Sequence, residues 1–191
     1  MNYKDLFHIA FLLISSPARA WEEIRVVEDK RKVLMDFVYP MIGLCALSVF
    51  IGTLWTMGWG GPESFRRAMT ECCSVAVSLF GGCFLAGYLV DWLGVRFCGL
   101  RSDLNLAQQF AGYALVVVFL LKIVLGILPE LWIIALPLYF YTLYVVWEGC
   151  MPMMRVATEY RLRFTVITSL AIILCPGLIE WVFTWLLRVL N

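Results

Sequence analysis

Two apolar runs, Phe110–Leu128 and Leu131–Trp147, are separated only by Pro129 and Glu130, and they constrain the fold more than any other feature. They hold 19 and 17 residues. At a rise of about 1.5 Å per residue, each run nearly matches a hydrocarbon core of about 30 Å. Helices that pack on a soluble core rarely lack a polar face over this length. The pair therefore predicts two antiparallel transmembrane helices rather than a buried hairpin of a soluble protein.

The composition is that of a polytopic membrane protein. Hydrophobic residues make up 62% of the chain, the mean hydropathy is +0.86, and 15% of the residues are charged. Soluble domains carry about 25% charged residues. The 191 residues suffice for one domain, and the net charge of +1 gives no reason to expect nucleic acid as a partner. We therefore expect an all-α fold whose first partner is the lipid bilayer.

The charge pattern divides the chain into an N-terminal segment, residues 1–35, and a transmembrane domain, residues 36–191. Five spans are predicted in that domain, at about residues 37–58, 72–97, 109–128, 131–149 and 164–188. A short loop, Glu63–Glu71, is expected between the first two spans. Pro176 and Gly177 are expected to kink and interrupt the fifth, because proline removes a backbone donor from a helix.

The N-terminal segment predicts two short helices outside the spans. The apolar run Leu6–Ile14 has nine residues, too few to cross a bilayer. Ser16 and Pro17 are residue types preferred at the start of a helix. The apolar residues of this second helix share one face, and they are Ala20, Trp21, Ile24 and Val27. The two helices lie at the membrane surface as amphipathic helices or pack on the body of the protein, and these two arrangements are compatible with each other.

Lysine and arginine are distributed unevenly between the two ends of the predicted spans. Eleven lie in the N-terminal segment and in the loops after the second and fourth spans, whereas three lie at the other end. The positive-inside rule then predicts a cytoplasmic N-terminus and an outside C-terminus. Tryptophans follow the same limits as two interfacial belts, with Trp21, Trp92 and Trp147 at one end. Trp55, Trp59, Trp132, Trp181 and Trp185 mark the other.

Small residues recur every fourth position in the second span, at Ser78, Gly82 and Ala86. Such a row lets another helix approach closely. The approaching helix belongs either to the same chain or to a second copy, so a homo-oligomer is one interpretation of this row.

Four ionisable residues fall within the predicted spans: Asp91, Lys122, Glu148 and Glu180. A charge in hydrocarbon costs several kcal/mol, so such residues are usually paired or line a pathway. Lys122 and Glu180 lie at similar depth and could pair; alternatively, Lys122 extends outward and Glu180 stays protonated. Asp91 and Glu148 lie near span ends, where they could simply reach water or a nearby arginine.

The sequence contains no motif for catalysis. His8 is the only histidine, and the seven cysteines show no paired metal-ligand or disulfide spacing. Nucleophile, P-loop and dinucleotide fingerprints do not occur. No catalytic, cofactor-binding or metal-binding residue is therefore predicted, and we expect a protein that is not an enzyme.

Several short aromatic and glycine patterns occur in a fixed order along the chain. They are Ser16-Pro17 with Trp21, Tyr39-Pro40, Gly99, Gly112-Tyr113, and Tyr141, Tyr144 and Gly149 at the end of the fourth span. In these patterns the chain resembles the Yip-domain membrane proteins, the family of Ypt/Rab-interacting proteins and their bacterial relatives. The resemblance implies five spans and a cytosolic N-terminus.

Eukaryotic members of that family have a longer N-terminal region and are linked to small GTPases and vesicle traffic. The shorter segment here argues against GTPase binding and favours the bacterial form, located in the plasma (inner) membrane. The resemblance and the small-residue row favour a non-enzymatic scaffold or adaptor that organises other membrane proteins or the bilayer. The alternative is a small-solute or ion transporter or channel, built on the intramembrane charges near the broken fifth helix.

Overall fold

A computed structural model describes residues 3–26 and 33–190 of the chain. All regular structure in these two ranges is helical, which confirms the all-α prediction. Five helical stretches are long and apolar enough to cross a membrane, and they are Leu34–Met57, Pro62–Cys98, Leu104–Ile127, Pro129–Cys150 and Thr158–Leu186. The described fold is therefore that of a polytopic membrane protein with five candidate spans.

Two short helices precede the spans: α1 (Tyr3–Ser15) and α2 (Pro17–Val26). The spans then comprise α3 (Tyr39–Met57) after a π-helical turn (Leu34–Val38), α4 (Pro62–Cys98), α5 (Leu104–Ala114), α6 (Val116–Ile127), α7 (Trp132–Tyr139), α8 (Tyr141–Cys150) and α9 (Arg161–Leu190). The fourth and fifth spans each begin with a 3₁₀ turn, Pro129–Leu131 and Thr158–Tyr160 respectively.

The centre of the bundle is formed where α4 packs on α3, α5 and α9, and α3 packs on α6. Leu79, Phe119 and Ile172, one from each of three helices, are completely buried there. Cys45 is also buried, and its thiol donates to the carbonyl of Phe119 over 3.2 Å. The middle of the bundle is thus a packed apolar layer.

The predicted loop Glu63–Glu71 is wrong, because these residues form the first turns of α4. Pro62 occupies the first turn, where its missing N–H costs nothing. Ion pairs spaced along the helix follow, Glu63 with Arg66 and Arg67 with Glu71. Charges spaced by three and four residues stabilise a helix surface, whereas the same charges suggested a solvated loop in the sequence.

The predicted interruption of the fifth span is also wrong, since α9 continues through Pro176 and Gly177. Gly82 of α4 lies directly against Pro176, where a Cβ on the glycine would be 2.7 Å from the proline Cα. This close packing holds α9 on both sides of the proline, so tertiary contact outweighs the single lost backbone donor.

Breaks occur instead in the third and fourth spans. Leu115 separates α5 from α6, and Phe140 separates α7 from α8. Pro137 lies inside α7, and the chain after it tightens so that Phe140 N donates to Pro137 O over 3.1 Å. The second and third spans are joined by a loop whose first residue, Gly99, adopts a left-handed conformation with φ of 63°.

The N-terminal helices pack on the body of the protein, as one of the two compatible arrangements predicted. Leu6, Leu13 and Trp21 are buried against the bundle. Phe7 and Phe11 of α1 remain exposed on the opposite face. Assigning Trp21 to an interfacial belt was therefore wrong, although Trp55, Trp59, Trp132, Trp181 and Trp185 are exposed at the far end of the bundle. Val27 lies outside the described residues.

Candidate functional sites

The side chain of Trp21 joins α2 to the third and fourth spans. Its ring stacks on Phe110 with centroids 4.9 Å apart and meets the edge of Tyr113 at 6.2 Å. Its indole Nε1 donates to the carbonyl of Val145 over 2.9 Å. Because the indole is fully buried, this hydrogen bond satisfies a polar group that would otherwise be costly. α2 is therefore fixed to two spans by one side chain.

Gly149 makes this contact possible, and Gly112 allows a separate close contact with the first span. Gly149 lies beneath the Trp21 ring, and a Cβ at that position would overlap the ring atoms. Gly112 lies against Val38, where a Cβ would be 2.8 Å from Cγ2. We call the set Trp21, Phe110, Tyr113, Val145 and Gly149 the Trp21 dock.

Tyr141 adds a second link between the N-terminal helices and the fourth span. Its hydroxyl donates to the carbonyl of Ile14 at the end of α1 over 2.6 Å. Pro17, which begins α2 three residues after Ile14, is also buried. Tyr144 lies apart from the dock, since its ring is exposed and touches that of Tyr141 at 5.5 Å. Most residues singled out by family resemblance thus meet where the N-terminal helices join the bundle.

A polar cavity of about 580 Å³ lies at the other end of the bundle. Residues from α3, α4, α6, α7 and α9 line it. We call it the ion-pair cavity, and its polar lining residues are Thr53, Thr56, Arg67, Glu71, Ser74, Lys122, Tyr139, Glu180 and Thr184.

Lys122 and Glu180 lie in this cavity and form an ion pair. Lys122 Nζ is 2.5 Å from Glu180 Oε2, and the two side chains are 21% and 30% exposed. A second pair lines the same cavity, with Arg67 Nε 3.0 Å from Glu71 Oε1 and Thr53 Oγ1 donating to Glu71 Oε2 over 2.7 Å. The cavity thus holds two cations and two anions at positions that water can reach.

The ion-pair cavity does not continue through the third span. Every residue from 110 to 119 is buried, and this stretch precedes Lys122 on the same span. Ten helical residues extend over about 15 Å. The buried stretch forms part of the packed layer around Phe119, so the third span lines the cavity only from Lys122 onward.

The sequence profile of the Yip1 domain matches residues 11–188. The chain belongs to the Yip1 family. Comparison with curated proteins and with solved structures gives no match. The Yip1 match covers both α2, which carries Trp21, and all five candidate spans, so the Trp21 dock and the ion-pair cavity both lie within the Yip1 domain.

Asp91 of this Yip1 domain holds the loop after α4. One carboxylate oxygen accepts from Ser102 Oγ over 2.7 Å, and the other accepts from Asp103 N over 2.8 Å. Asp103 in turn caps α5 by accepting from Leu106 N over 3.1 Å. Glu148 is half-buried and directly precedes Gly149 of the Trp21 dock. Neither carboxylate is brought next to Lys122 and Glu180.

The small-residue row of α4 faces the interior. Ser78 and Ala86 are completely buried, and Gly82 is the point of closest approach to α9. This row packs against a helix of the same chain, and a homo-oligomer through the same face would have to displace α9.

A second glycine crossing was not recognised in the sequence. Gly52 of α3 lies against Gly126 of α6, and a Cβ on Gly52 would overlap the carbonyl oxygen of Gly126. The four-residue spacing of small residues seen in α4 is repeated in α3 at Ser48, Gly52 and Thr56. This spacing in the sequence could have indicated the close helix crossing. This crossing forms one wall of the ion-pair cavity.

The Yip1 domain offers little that resembles catalytic chemistry. Within residues 3–26 and 33–190, no three His, Cys, Asp or Glu side chains are close enough together to hold a metal ion. The seven cysteines are free thiols, and Cys45, Cys83, Cys98, Cys150 and Cys175 are buried. The two candidate functional features are therefore the N-terminal helices held by the Trp21 dock and the ion-pair cavity.

Proposed function

We propose that this Yip1 family protein is a non-enzymatic membrane scaffold that presents its N-terminal helices to partner membrane proteins. The observation that carries this proposal is the burial of Trp21 against the third and fourth spans. A helix pair fixed in this way is preorganised, so partner binding does not have to supply the free energy of ordering it. The exposed rings of Phe7 and Phe11 provide apolar contact area on its outer face.

We propose that residues 36–191 form the membrane domain and that residues 1–35 lie on its cytoplasmic side, in a bacterial plasma membrane. The eleven-to-three distribution of lysine and arginine supports this orientation. In this arrangement Phe7 and Phe11 lie at the cytoplasmic end of the bundle, where their exposed rings are accessible to a partner membrane protein.

The scaffold proposal is tested by photo-crosslinking in intact membranes. A benzophenone side chain is placed at Phe11, which is 73% exposed, or at Leu13, which is fully buried. We expect discrete protein adducts from position 11 and none from position 13. Adducts formed equally from both positions, or from neither, would contradict the proposal.

A second candidate function is transport of an ion or small polar solute, and the ion-pair cavity favours it specifically. Lys122 and Glu180 lie inside a cavity that all five spans line, as substrate sites of transporters do. The packed layer beside the cavity argues against a permanently open channel, so transport would require rearrangement of the spans. We therefore rank this candidate below the scaffold.

The transport candidate is tested with the protein in sealed vesicles that contain a dye responsive to protons, to sodium or to potassium, one dye in each experiment. Proton, sodium or potassium flux above that of empty vesicles, lost in Lys122→Met, would support transport. Flux equal to that of empty vesicles for all three ions would remove transport of these ions from consideration.

A further inference from the structure

A second cavity, of about 570 Å³, lies at the end of the bundle that carries the Trp21 dock. It is formed by α2, by the loop between α4 and α5, and by the loop after α8. Arg25, Arg101 and Arg155 come from these three segments, one from each, and all three line the cavity. We call it the arginine cavity.

We propose that the arginine cavity binds a phosphate ester. Three guanidinium groups line it, and Asp103 is the one carboxylate among its described lining residues. One oxygen of Asp103 is already used to cap α5. The described part of the lining therefore carries an excess of two positive charges. Guanidinium groups bind phosphate with two parallel hydrogen bonds, which makes arginine the residue best suited to this ligand.

Gln109 provides an independent observation that points to a ligand. It lies on α5, lines the cavity and is 7% exposed. Its amide nitrogen is buried without a hydrogen-bond partner among the described residues. Leaving such a donor unsatisfied is costly, and rotation of the Gln109 amide toward the cavity would let it donate to a phosphate oxygen.

The backbone at Arg155 is also held in an unusual conformation. Its φ of 54° lies in the left-handed region, where arginine is uncommon. Its N–H donates to the carbonyl of Met151 over 3.2 Å, so the loop is closed at this point. The strain is stored at a residue that lines the cavity, as is common at ligand sites.

The remaining walls suit the organic part of a phosphate ester. Leu100, Leu106, Met153 and Met154 line the same cavity and provide apolar contact. Basic pockets between transmembrane helices commonly bind anionic lipid headgroups, and a soluble phosphate ester presents the same charged group. The volume lies within the range of small-molecule sites.

The test uses the full chain purified in a neutral detergent. Binding of short-chain phosphatidic acid and of glycerol 3-phosphate is measured by titration and native mass spectrometry, with short-chain phosphatidylcholine as the zwitterionic control. The cavity variant is Arg101→Gln with Arg155→Gln. The control variant is Arg96→Gln with Arg163→Gln, which removes the same charge near the same end without altering the cavity lining.

We expect at least one of the two phosphate esters to bind, and the cavity variant to weaken it about 10-fold or more through lost charged hydrogen bonds. The control variant should change affinity less than about threefold. Binding of phosphatidic acid alone would identify a lipid ligand, and competition by glycerol 3-phosphate would identify the phosphate group itself. Both results support the proposal.

Gln109→Leu provides a variant that leaves the charge unchanged. This variant should bind the phosphate ester severalfold more weakly than the wild type does. Its preference for the phosphate ester over phosphatidylcholine should therefore be smaller than the preference of the wild type. Equal loss in the cavity and control variants would show general charge attraction and overturn the proposal. So would the absence of binding by either phosphate ester, or equal affinity for phosphatidylcholine.

Discussion

The ring of Trp21 lies directly on Gly149, although 128 positions separate the two residues in the sequence. The glycine is the last residue but one of the fourth span, and the tryptophan belongs to a helix outside the spans. Both residues belong to the sequence patterns in which the chain resembles the Yip-domain proteins. Their contact is a physical reason for having these two residue types at these positions. The glycine is required because its missing side chain leaves the space that the indole fills.

Gly149→Ala should displace Trp21 and loosen the N-terminal helices. The added Cβ overlaps the ring, and overpacking of this kind costs about 1–3 kcal/mol. Trypsin should then cut faster at Arg19 and Arg25, which are exposed on α2, while the five spans stay folded. The measurement is the rate of limited proteolysis in detergent.

Gly43→Ala is the matched control for this experiment. Gly43 lies in α3, and a Cβ there meets nothing within 4 Å. Alanine has the better helix propensity by about 1 kcal/mol, so this variant should be as stable as the wild type or more stable. Equal proteolysis of both variants would mean that the N-terminal helices are held by something other than the Trp21 dock.

Lys122→Met and Glu180→Gln should each reduce stability, because each leaves a charge without its partner in the ion-pair cavity. The loss for a buried pair is about 3–5 kcal/mol, and the partial exposure of these side chains should bring it to the lower end. The double variant should cost less than the sum of the two. Denaturant titration of all three variants in detergent measures these free energies.

The exposed pair of Glu63 and Arg66 provides the comparison. Their side chains are 83% and 78% exposed, and the charged atoms are 3.6 Å apart. The coupling energy from Glu63→Gln, Arg66→Gln and their combination should be below about 0.5 kcal/mol. If Lys122 and Glu180 show a coupling no larger than this, their proximity has no energetic consequence.

Gly52→Ala should destabilise the crossing of α3 and α6. The new Cβ would overlap the backbone oxygen of Gly126, and a backbone atom cannot rotate away as a flexible side chain can. The helices must separate, and we expect a loss of about 1–3 kcal/mol in the free energy of unfolding. Gly177→Ala, where nothing lies within 4 Å, should lose far less. Equal losses would contradict the close crossing.

Long apolar runs were sufficient to predict the five spans, because a run of that length has few other ways to bury itself. The order of helices outside the spans was also readable from Ser16 and Pro17. The exact start of α4 and the continuity of α9 could not be predicted in the same way. Charges at Glu63–Glu71 suggested a loop because their pairing along a helix was overlooked, and Pro176 suggested a break because its contact with Gly82 is formed only in three dimensions.

The candidate site residues were also only partly predictable from the sequence. Lys122 and Glu180 were predicted as possible partners because they lie at similar depth in the membrane. That depth can be read from the sequence by counting residues from the end of each span. The burial of Trp21 could not be separated from an interfacial position, because both place an aromatic ring on one face of an amphipathic helix. The arginine cavity was missed because Arg25, Arg101 and Arg155 lie on three segments that the sequence does not bring together.

The proposed orientation is tested by thiol labelling in a cysteine-free background. Single cysteines replace Glu63 in the first turn of α4 and Ser102 in the loop after α4, and both positions are exposed. Cys98 and Cys150 are unsuitable because they are buried. A reagent that cannot cross membranes should label the cysteine at position 63 in intact cells and the one at 102 only after permeabilisation. The reverse pattern would place the N-terminus outside.

The central claim is that the Trp21 dock holds the N-terminal helices in position for partner proteins. Its most direct test measures the yield of protein adducts from a benzophenone at position 11 in intact membranes, in the Gly149→Ala and Gly43→Ala backgrounds. We predict that Gly43→Ala retains the adducts and that Gly149→Ala loses most of them at equal protein abundance, because only Gly149 contacts Trp21. An unchanged adduct pattern and yield in Gly149→Ala, together with faster proteolysis of its N-terminal helices, would contradict the claim.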